Sequence, residues 1–238
     1  MRHQFINTML GTIVNTCTII VGSIVGAVMH RAIKDKYKNA LYTGLGLVCL
    51  GIGLNAVISN FGKSEYPVLF IVSIAVGSVI GTALNLDERF ANLINNRSKN
   101  NNNTNLADGL STAILLYCIG PLAMLGPVIS ALKGDNTFLY TNATLDLVTS
   151  AIFASTYDIW VILAAPVLFC WQGLFYLVAK VSSTAISEAL MAELLIVGGL
   201  LIVASGLSLL KLKDCKTLNM LPSLLIPVLW FFFISFMQ

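Results

Sequence analysis

The feature that most constrains this chain is a series of apolar runs, most of them as long as a membrane-spanning helix. A helix needs roughly 20 mostly apolar residues to cross a hydrocarbon core of about 30 Å. The runs cover residues 6–29, 40–59, 67–85, 109–132, 141–180, 189–210 and 219–237. They are much longer than the roughly 10 residues of a barrel strand and do not alternate. The sequence therefore predicts an all-α, polytopic bundle of transmembrane helices.

The composition also fits a protein that lies mostly in lipid. Of the 238 residues, 57% are hydrophobic and 11% are charged, whereas a soluble domain carries about 25% charged residues. The net charge of +3 is small, which argues against binding of nucleic acid. The five cysteines show no spacing typical of a zinc site or a disulfide framework. The usual catalytic motifs do not occur in the sequence, so we predict no enzyme activity, no cofactor and no metal.

The run 141–180 is too long to be one helix. Its 40 residues would extend about 60 Å at 1.5 Å per residue. The polar stretch 155–158 offers Ser, Thr and Asp, which favour helix caps and turns. We therefore divide the run into a fifth segment, 141–157, and a sixth, 158–180, which gives about eight segments in all. The fifth segment is short and polar, and the sequence leaves open whether it spans or re-enters.

The distribution of Lys and Arg favours eight crossings. With eight, the loops after segments 1, 3 and 7 carry four, three and three basic residues, and the loops after segments 2, 4 and 6 carry one each. Because cytoplasmic loops are enriched in Lys and Arg, this pattern predicts both termini outside. The Asn-rich stretch 95–106 is then a cytoplasmic loop. If the fifth segment did not cross, the three lysines of 211–216 would lie outside.

The two ends of the chain resemble each other. Residues 46–55 and 199–208 share their glycine spacing, and each stretch is followed by a lysine-containing loop and a proline. We interpret 6–86 (segments 1–3) and 158–237 (segments 6–8) as two repeats within a single transmembrane domain, 1–238. Five crossings separate equivalent segments, so the second repeat is inverted, as in many secondary transporters. The alternative is that glycine-rich apolar helices resemble one another by composition alone.

The repeats flank two irregular helices within 107–157. The fourth segment contains Gly120-Pro121 and Gly126-Pro127, and proline in a helix interior removes a backbone hydrogen bond and kinks the helix. Such breaks expose backbone groups that can bind ions or polar solutes. They can equally serve to fit the helix to its neighbours.

Acidic residues, unlike basic ones, occur inside the apolar segments. Asp146 lies near the middle of segment 5 and Glu193 about a turn inside segment 7. A charged group at the bilayer centre is costly, so these carboxyls must be protonated, face water or hold a cation. This asymmetry indicates a cation or proton pathway. The structural alternatives are a hydrogen bond between helices for Asp146 and helix caps for Glu193 and Asp158.

The candidate ion- or solute-binding residues are polar side chains within the apolar segments. They are Asn15, Asn55, Asp146, Ser150, Ser155, Thr156, Gln172 and Glu193. Small and polar residues also mediate close helix packing, which is the alternative for most of them. The pairs Gly22/Gly26 and Gly77/Gly81 have this packing pattern, and either pair could form the seam of a homodimer.

Several short motifs carry a family resemblance over nearly the full length. They are residues 11–16, 44–55, 145–156, 172–173, 193–199 and 219–222, of which Phe-Ala-Ser-Thr at 153–156 is the most specific. In these motifs the chain resembles the YdfK-like (YqgA-like) bacterial integral membrane proteins, which are often labelled transport proteins. The resemblance implies a multi-pass protein of the bacterial plasma (inner) membrane.

These features predict a secondary transporter or cation/proton-linked permease for a small solute, with a polar site near the membrane midplane. Its partners would be the lipid bilayer and the solute or cation. Two other functions stay open on the sequence alone. One is a structural or regulatory membrane subunit without transport, and the other is a passive ion channel.

Overall fold

A computed structural model describes residues 9–29, 35–89, 92, 110, 113–114, 117–118, 120–182 and 187–237. All regular structure in this part of the chain is helical, which confirms the all-α class. The helices are α1 (Leu10–Val28), α2 (Asp35–Phe61), α3 (Leu69–Ala83), α4 (Pro121–Lys133), α5 (Thr137–Tyr157), α6 (Ala164–Val181), α7 (Glu188–Leu209), α8 (Thr217–Met220) and α9 (Leu225–Met237). Two 3₁₀ turns, Ile159–Leu163 and Leu221–Leu224, lead into α6 and α9.

Five helical stretches of the described part are long and apolar enough to cross a membrane. They are Leu10–Val28, Asn39–Phe61, Ile159–Val181, Glu188–Leu209 and Thr217–Ile234. The apolar helices α3 and α4 are shorter, and α5 is interrupted by polar residues. The predicted Asn-rich loop, 95–106, lies outside the described residues, as does the stretch that precedes Met9.

The boundaries of α5 follow from local backbone chemistry. Gly134 adopts a left-handed conformation (φ 69°) that ends α4, and the Asp135 side chain accepts a hydrogen bond from the Thr137 amide, 2.8 Å away. The helix therefore begins four residues before the predicted start at 141. Asp158 ends it with φ 74°, and its carboxylate accepts from the Ile159 amide at 2.7 Å. The predicted capping role of Asp158 is confirmed.

The helices form two compact units built from interleaved parts of the chain. The first unit takes its described residues from Met1–Leu41 and Phe90–Ser183, and the second from Tyr42–Arg89 and Thr184–Gln238. The first unit therefore contains α1, α4, α5 and α6. The second contains most of α2 together with α3, α7, α8 and α9.

In the first unit, a glycine face of α1 packs directly on α5. A side chain at Gly22 would collide with the Ser150 hydroxyl, and one at Gly26 would collide with the Ala151 carbonyl. Only a residue without a Cβ lets the two backbones approach this closely. Gly11 lies against Leu139 in the same way, so α1 and α5 run in the same direction.

In the second unit, α2 and α7 cross through two reciprocal glycine pairs. A Cβ on Gly53 would lie 2.6 Å from the Gly199 carbonyl oxygen, and a Cβ on Gly199 would lie 2.7 Å from the Gly53 carbonyl oxygen. Gly46 and Gly206 face each other in the same manner. A Cβ on Gly46 would lie 3.0 Å from the Gly206 carbonyl oxygen, and a Cβ on Gly206 would lie 2.9 Å from the Gly46 carbonyl oxygen. The two helices are therefore antiparallel and in close backbone contact.

The other glycine pair of the second unit is also used within the chain. Gly77 packs on Ser223 and Gly81 packs on Asn219, which makes α3 antiparallel to the segment formed by α8 and α9. Both predicted seams, Gly22/Gly26 and Gly77/Gly81, thus contact helices of the same chain. A homodimer through them stays a prediction.

Candidate functional site

The candidate site is built around Asp146 in the first unit. Asp146 is 4% exposed and lies near the middle of α5, on the face that α1 covers. Its Oδ2 accepts a hydrogen bond from the Asn142 amide nitrogen, 2.9 Å away. Asn142 lies one helical turn earlier, the spacing at which side chains of one helix meet. This amide donates a hydrogen bond to the carboxyl but does not neutralise its charge.

Asn15 on α1 lies beside the same carboxyl. The glycine face of α1 brings the helix close enough for the Asn15 side chain to interact with Asp146. Asn15 is fully buried, and its Nδ2 makes no hydrogen bond of normal geometry with the described residues. Its backbone carbonyl accepts from the Thr18 hydroxyl at 2.7 Å. Two amides from two helices therefore surround the Asp146 carboxyl.

α6 also contributes a buried polar side chain to this unit, Gln172. Its exposed fraction is 0%, and neither its Nε2 nor its Oε1 has a hydrogen-bond partner among the described residues. The neighbouring Gly173 faces the Met9 side chain, which lies just before α1. A Cβ on Gly173 would lie 3.8 Å from the Met9 Cε atom. An amide with both polar atoms buried and unpaired is rare in folded proteins.

The predicted hydroxyl residues of α5 have a more local role. Ser150 donates to the Leu147 carbonyl at 3.0 Å and Ser155 donates to the Ile152 carbonyl at 2.7 Å. Both are buried and help α5 to pack. Thr156 is exposed and donates to the Ile152 carbonyl at 3.1 Å.

Two predicted site residues belong to the second unit, whereas Asp146 belongs to the first. Asn55 is exposed on α2, and its Oδ1 accepts from the Ser59 hydroxyl at 3.3 Å. Glu193 is fully buried in α7. Its Oε1 accepts from the Ser64 hydroxyl at 2.5 Å and from the Tyr66 amide at 3.2 Å, and its Oε2 has no hydrogen-bond partner among the described residues. Glu193 thus fastens the stretch between α2 and α3 to α7.

The helical structure of segment 4 is interrupted near the Asp146 carboxyl. Gly120 is extended (ψ 147°) and precedes Pro121, the first residue of α4, whereas Cys118 before it is helical. Cys118 lies near enough to Asp146 for its thiol to interact electrostatically with the carboxylate. The predicted irregularity of segment 4 is therefore a break between two helical pieces, and Pro127 lies inside the second piece.

Two residues of this cluster escaped the sequence analysis. Asn142 was not singled out, although its spacing of four from Asp146 is a signal for a pair on one helix face. Thr12 is fully buried, and its Oγ1 has no partner among the described residues. It lies one turn from Asn15, but a threonine near a helix start is too common to be singled out.

The part of the chain that the structure describes contains no group of three or more His, Cys, Asp or Glu side chains that could hold a metal ion. The chemistry of the site is therefore that of one carboxyl, several amides and several hydroxyls. Such groups can bind a proton, water, a monovalent cation or a polar solute.

Known proteins of similar sequence are uncharacterized, and one of them is named as a membrane protein. The chain is 51% identical over 219 residues to the "Uncharacterized membrane protein YdfK" of Bacillus subtilis (strain 168), covering 92% of this chain and 94% of that protein. It is 25% identical over 227 residues to the "Uncharacterized protein YqgA" of Escherichia coli (strain K12), again covering 92% and 94%. No solved structure matches the chain. The model of one family, described as "Protein of unknown function (DUF554)", matches residues 10–232, and these matches confirm the resemblance to the YdfK-like and YqgA-like proteins. The chain is a helical membrane protein and belongs to the DUF554 family.

Proposed function

We propose that the protein is a secondary permease of the bacterial plasma membrane, which couples the movement of a small polar solute to a proton or another monovalent cation. The observation that carries the proposal is the environment of Asp146. Its carboxyl is buried in α5 with Asn142 and Asn15 as neighbours. None of the buried residues that the structure describes is Lys, Arg or His.

The energetic argument concerns the charge of this carboxyl. A charged carboxylate at the centre of a bilayer costs at least about 2.5–3.5 kcal/mol on insertion scales. Amide dipoles reduce this cost, but an opposite charge or a bound proton removes more of it. Because no basic side chain supplies that charge, a proton or a cation from solution does so. A group that must take up and release a cation can couple cation movement to that of a solute.

The break at Gly120-Pro121 supports a binding site at this depth. Broken helices near the midplane expose backbone N–H and C=O groups, and many secondary transporters bind their substrate or coupling ion there. Since Gly126 packs on Leu139 and Cys118 lies near Asp146, the break is level with the carboxyl. The unpaired amide of Gln172 adds a further group able to bind a solute.

Helix directions support eight successive crossings. If every segment crosses in turn, odd-numbered and even-numbered segments run in opposite directions. In the first unit, α1 and α5 run in the same direction, and the Gly126–Leu139 contact makes α4 antiparallel to α5. In the second unit, α2 is antiparallel to α7, and α3 is antiparallel to the α8–α9 segment. These directions favour an α5 that spans over one that re-enters.

The inverted repeat draws support from the glycine pairs of α2 and α7. The proposed repeat makes Gly46 equivalent to Gly199, and Gly53 equivalent to Gly206. Exchanging equivalent residues turns the Gly46–Gly206 contact into the Gly199–Gly53 contact, which also exists. A local two-fold axis through the α2–α7 crossing accounts for this reciprocity. Inverted repeats with such an axis give transporters two similar conformations of opposite access.

The proposal is tested by measuring ion flux in liposomes with and without the Asp146 carboxyl. The purified protein is reconstituted into liposomes that contain a pH-sensitive dye, and the small-molecule filtrate of a bacterial cell extract is added outside under a sodium or a proton gradient. We expect a protein-dependent proton or sodium flux that Asp146→Asn lowers by about tenfold or more, equivalent to about 1.4 kcal/mol. The amide keeps the size of the side chain and removes the exchangeable proton and the charge.

Asp214→Asn is the matched control, because Asp214 is an exposed loop residue of the second unit. It should leave the flux unchanged. Equal flux in the wild type and in Asp146→Asn would remove Asp146 from the mechanism. Liposomes that stay impermeable under every gradient would contradict the permease and favour a subunit without transport.

A further inference from the structure

The first unit has two ends that differ in chemistry. We call the end where α4 stops and α5 starts the Gly134 end, and the end where α5 stops the Asp158 end. Asp146 lies between them, nine residues into α5. Polar side chains on three helices lie between Asp146 and the Gly134 end, and they are Thr12, Asn15, Asn142 and Gln172. We call these four residues and Asp146 the polar column.

The α1 and α5 members of the polar column follow one another by helical turns. Asn142 lies one turn from Asp146 toward the Gly134 end and donates to it at 2.9 Å. Asn15 lies beside the carboxyl, and Thr12 lies one turn further toward the same end, because Gly11 packs on Leu139. All four side chains are at most 5% exposed.

Gln172 joins the column from α6. This helix runs opposite to α1, because its residues Tyr176 and Ala179 form an apolar cluster on which Met9 packs. Since Gly173 faces Met9, Gln172 is level with the first turns of α1, where Thr12 lies. Both its polar atoms are unpaired among the described residues.

The column reaches polar groups at the Gly134 end. The Ser130 hydroxyl donates to the Asn136 Oδ1 at 2.7 Å. A Cβ on Gly11, the neighbour of Thr12, would lie 2.7 Å from the same Oδ1 atom. Polar groups of α1, α4 and α5 thus lie between the Asp146 carboxyl and the loop that joins α4 and α5.

The opposite direction, toward the Asp158 end, is closed by apolar side chains. Ile19, Ala154, Val161, Ala164 and Leu168 are fully buried and belong to one apolar cluster, which we call the apolar seal. The polar side chains of α5 on this side are bonded to carbonyls of their own helix, for example Ser155 to Ile152 at 2.7 Å. Ser23 is also buried on this side, and its hydroxyl has no hydrogen-bond partner among the described residues.

The unpaired atoms of the column are expensive unless something bonds them. A buried donor or acceptor without a partner costs about 1–3 kcal/mol, and buried polar groups in proteins are nearly always bonded to protein or to water. Gln172 alone presents a carbonyl oxygen and an amide nitrogen, and Asn15 and Thr12 present one atom each. Water is the smallest partner that both donates and accepts, and the polar side chains of the column lie on the side of Asp146 that faces the Gly134 end.

We propose that the polar column is a hydrated path that connects Asp146 to the Gly134 end and carries protons or a hydrated monovalent cation, while the apolar seal closes the Asp158 end in this conformation. Its groups are one carboxyl, amides and a hydroxyl, without a basic side chain, so the path disfavours anions. The inference rests on the proposed function only for the role of Asp146 as the terminus of the path.

The path is tested by thiol accessibility, which requires no transport. The five cysteines, Cys17, Cys49, Cys118, Cys170 and Cys215, are replaced by Ala, and Val161 in the apolar seal serves as the buried reference position. Single cysteines are then introduced as Thr12→Cys, Gln172→Cys and Val161→Cys. The membrane-reconstituted proteins react with a cationic, membrane-impermeant methanethiosulfonate reagent, applied to either side.

We expect Thr12→Cys and Gln172→Cys to react from one side, faster than Val161→Cys in the seal by about tenfold or more, or about 1.4 kcal/mol. Thermal unfolding at the temperature of the cysteine-free protein shows that the fold of each variant is intact. Protection of Gln172→Cys equal to that of Val161→Cys would overturn the path, and so would a fast reaction of both.

The outcomes of this test and of the flux test are separable. Fast labelling of Gln172→Cys together with flux that is insensitive to Asp146→Asn would keep the hydrated path and reject the permease mechanism through Asp146. Asp146-dependent flux together with a protected Gln172→Cys would keep the permease mechanism and reject the hydrated path. An anionic reagent of the same size should react at Gln172→Cys more slowly than the cationic one, and the opposite order would contradict the cation preference.

Discussion

Glycine is required at Gly22 because two backbones share its space. A Cβ there would collide with the Ser150 hydroxyl and with the Leu147 carbonyl, and a backbone carbonyl cannot move aside as a flexible side chain can. Gly51 on α2 is also a glycine inside a helix, but nothing lies within 4 Å of the position of its Cβ. These two glycines therefore differ only in what surrounds them.

The contrast gives a matched pair of substitutions. We expect Gly22→Ala to destabilise the protein by about 1–3 kcal/mol, the usual cost of overpacking, because α1 must move away from α5. Gly51→Ala should leave the stability unchanged or raise it by up to about 1 kcal/mol, since alanine favours helix. Thermal unfolding in detergent measures both, and an equal effect of the two substitutions would contradict the close α1–α5 contact.

At this scale the sequence identified the chemistry of the residues but not their surroundings. Asn15, Asp146 and Gln172 were predicted as site residues, and the structure buries all three in the first unit. Asn55 and Thr156 were predicted with them but are exposed. In a helix that is apolar all round, the hydrophobic pattern does not reveal which face meets protein and which meets lipid. Neighbours on other helices decide that, and they are remote in the sequence.

The stretch between α2 and α3 is held to α7 by one buried carboxylate. Glu193 accepts hydrogen bonds from Ser64 and from the Tyr66 amide, and the exposed Lys63 lies immediately before Ser64. This stretch contains no regular helix from Lys63 to Pro67. The hydrogen bonds to Glu193 therefore attach this irregular connection to the buried helix α7.

Removal of this attachment should expose the connection to protease. We expect Glu193→Ala to accelerate tryptic cleavage after Lys63 by about tenfold, which corresponds to loss of about 1.4 kcal/mol from the closed state. Glu188→Ala is the control, because Glu188 is exposed in the first turn of the same helix. Limited proteolysis followed by mass spectrometry gives the rates. Unchanged cleavage in Glu193→Ala would show that other contacts hold the connection.

Helix existence was easier to predict than helix ends. The apolar runs located every long helix of the described residues, because length and apolarity are local properties. The start of α5 at Thr137 depends on the left-handed Gly134 and on the Asp135 hydrogen bond, and the sequence analysis gave neither residue weight. The break at Gly120 was visible as Gly-Pro, but a kink and a complete break have the same sequence signal.

The number of crossings is a property of the whole chain, and two loops decide it. With eight crossings, the loop at Asp135 and the loop at Lys213 lie on opposite sides of the membrane. If α5 re-entered, both would lie on the same side. Asp135 and Lys213 are exposed, so a cysteine at either position is available to an impermeant reagent.

We expect Asp135→Cys, in a background without other cysteines, to react in intact cells, and Lys213→Cys to react only after the membrane is permeabilised. Lys63→Cys is the control, since it lies on the same side as Asp135 in both arrangements. Reaction of both Asp135→Cys and Lys213→Cys in intact cells would contradict eight crossings.

The helix partners within the two units could not be predicted from the sequence, and the single transmembrane domain, 1–238, stays a prediction. Each unit combines distant parts of the chain, and apolar segments of similar composition carry no local mark of their partner. Close packing through Gly22, Gly26 and Gly77 selects the partners, and this signal appears only once facing helices are known.

The pairing of α1 with α5 has a consequence for biosynthesis. α1 ends at Val28 and α5 begins at Thr137, so 108 residues, 29–136, are translated between them. At about 5–20 residues per second, the first helix waits roughly 5–20 s for its partner. During that interval the Asn15 amide and the glycine face have no α5 to cover them. We therefore expect α1 to be covered by lipid or by the insertion machinery until the ribosome has delivered α5.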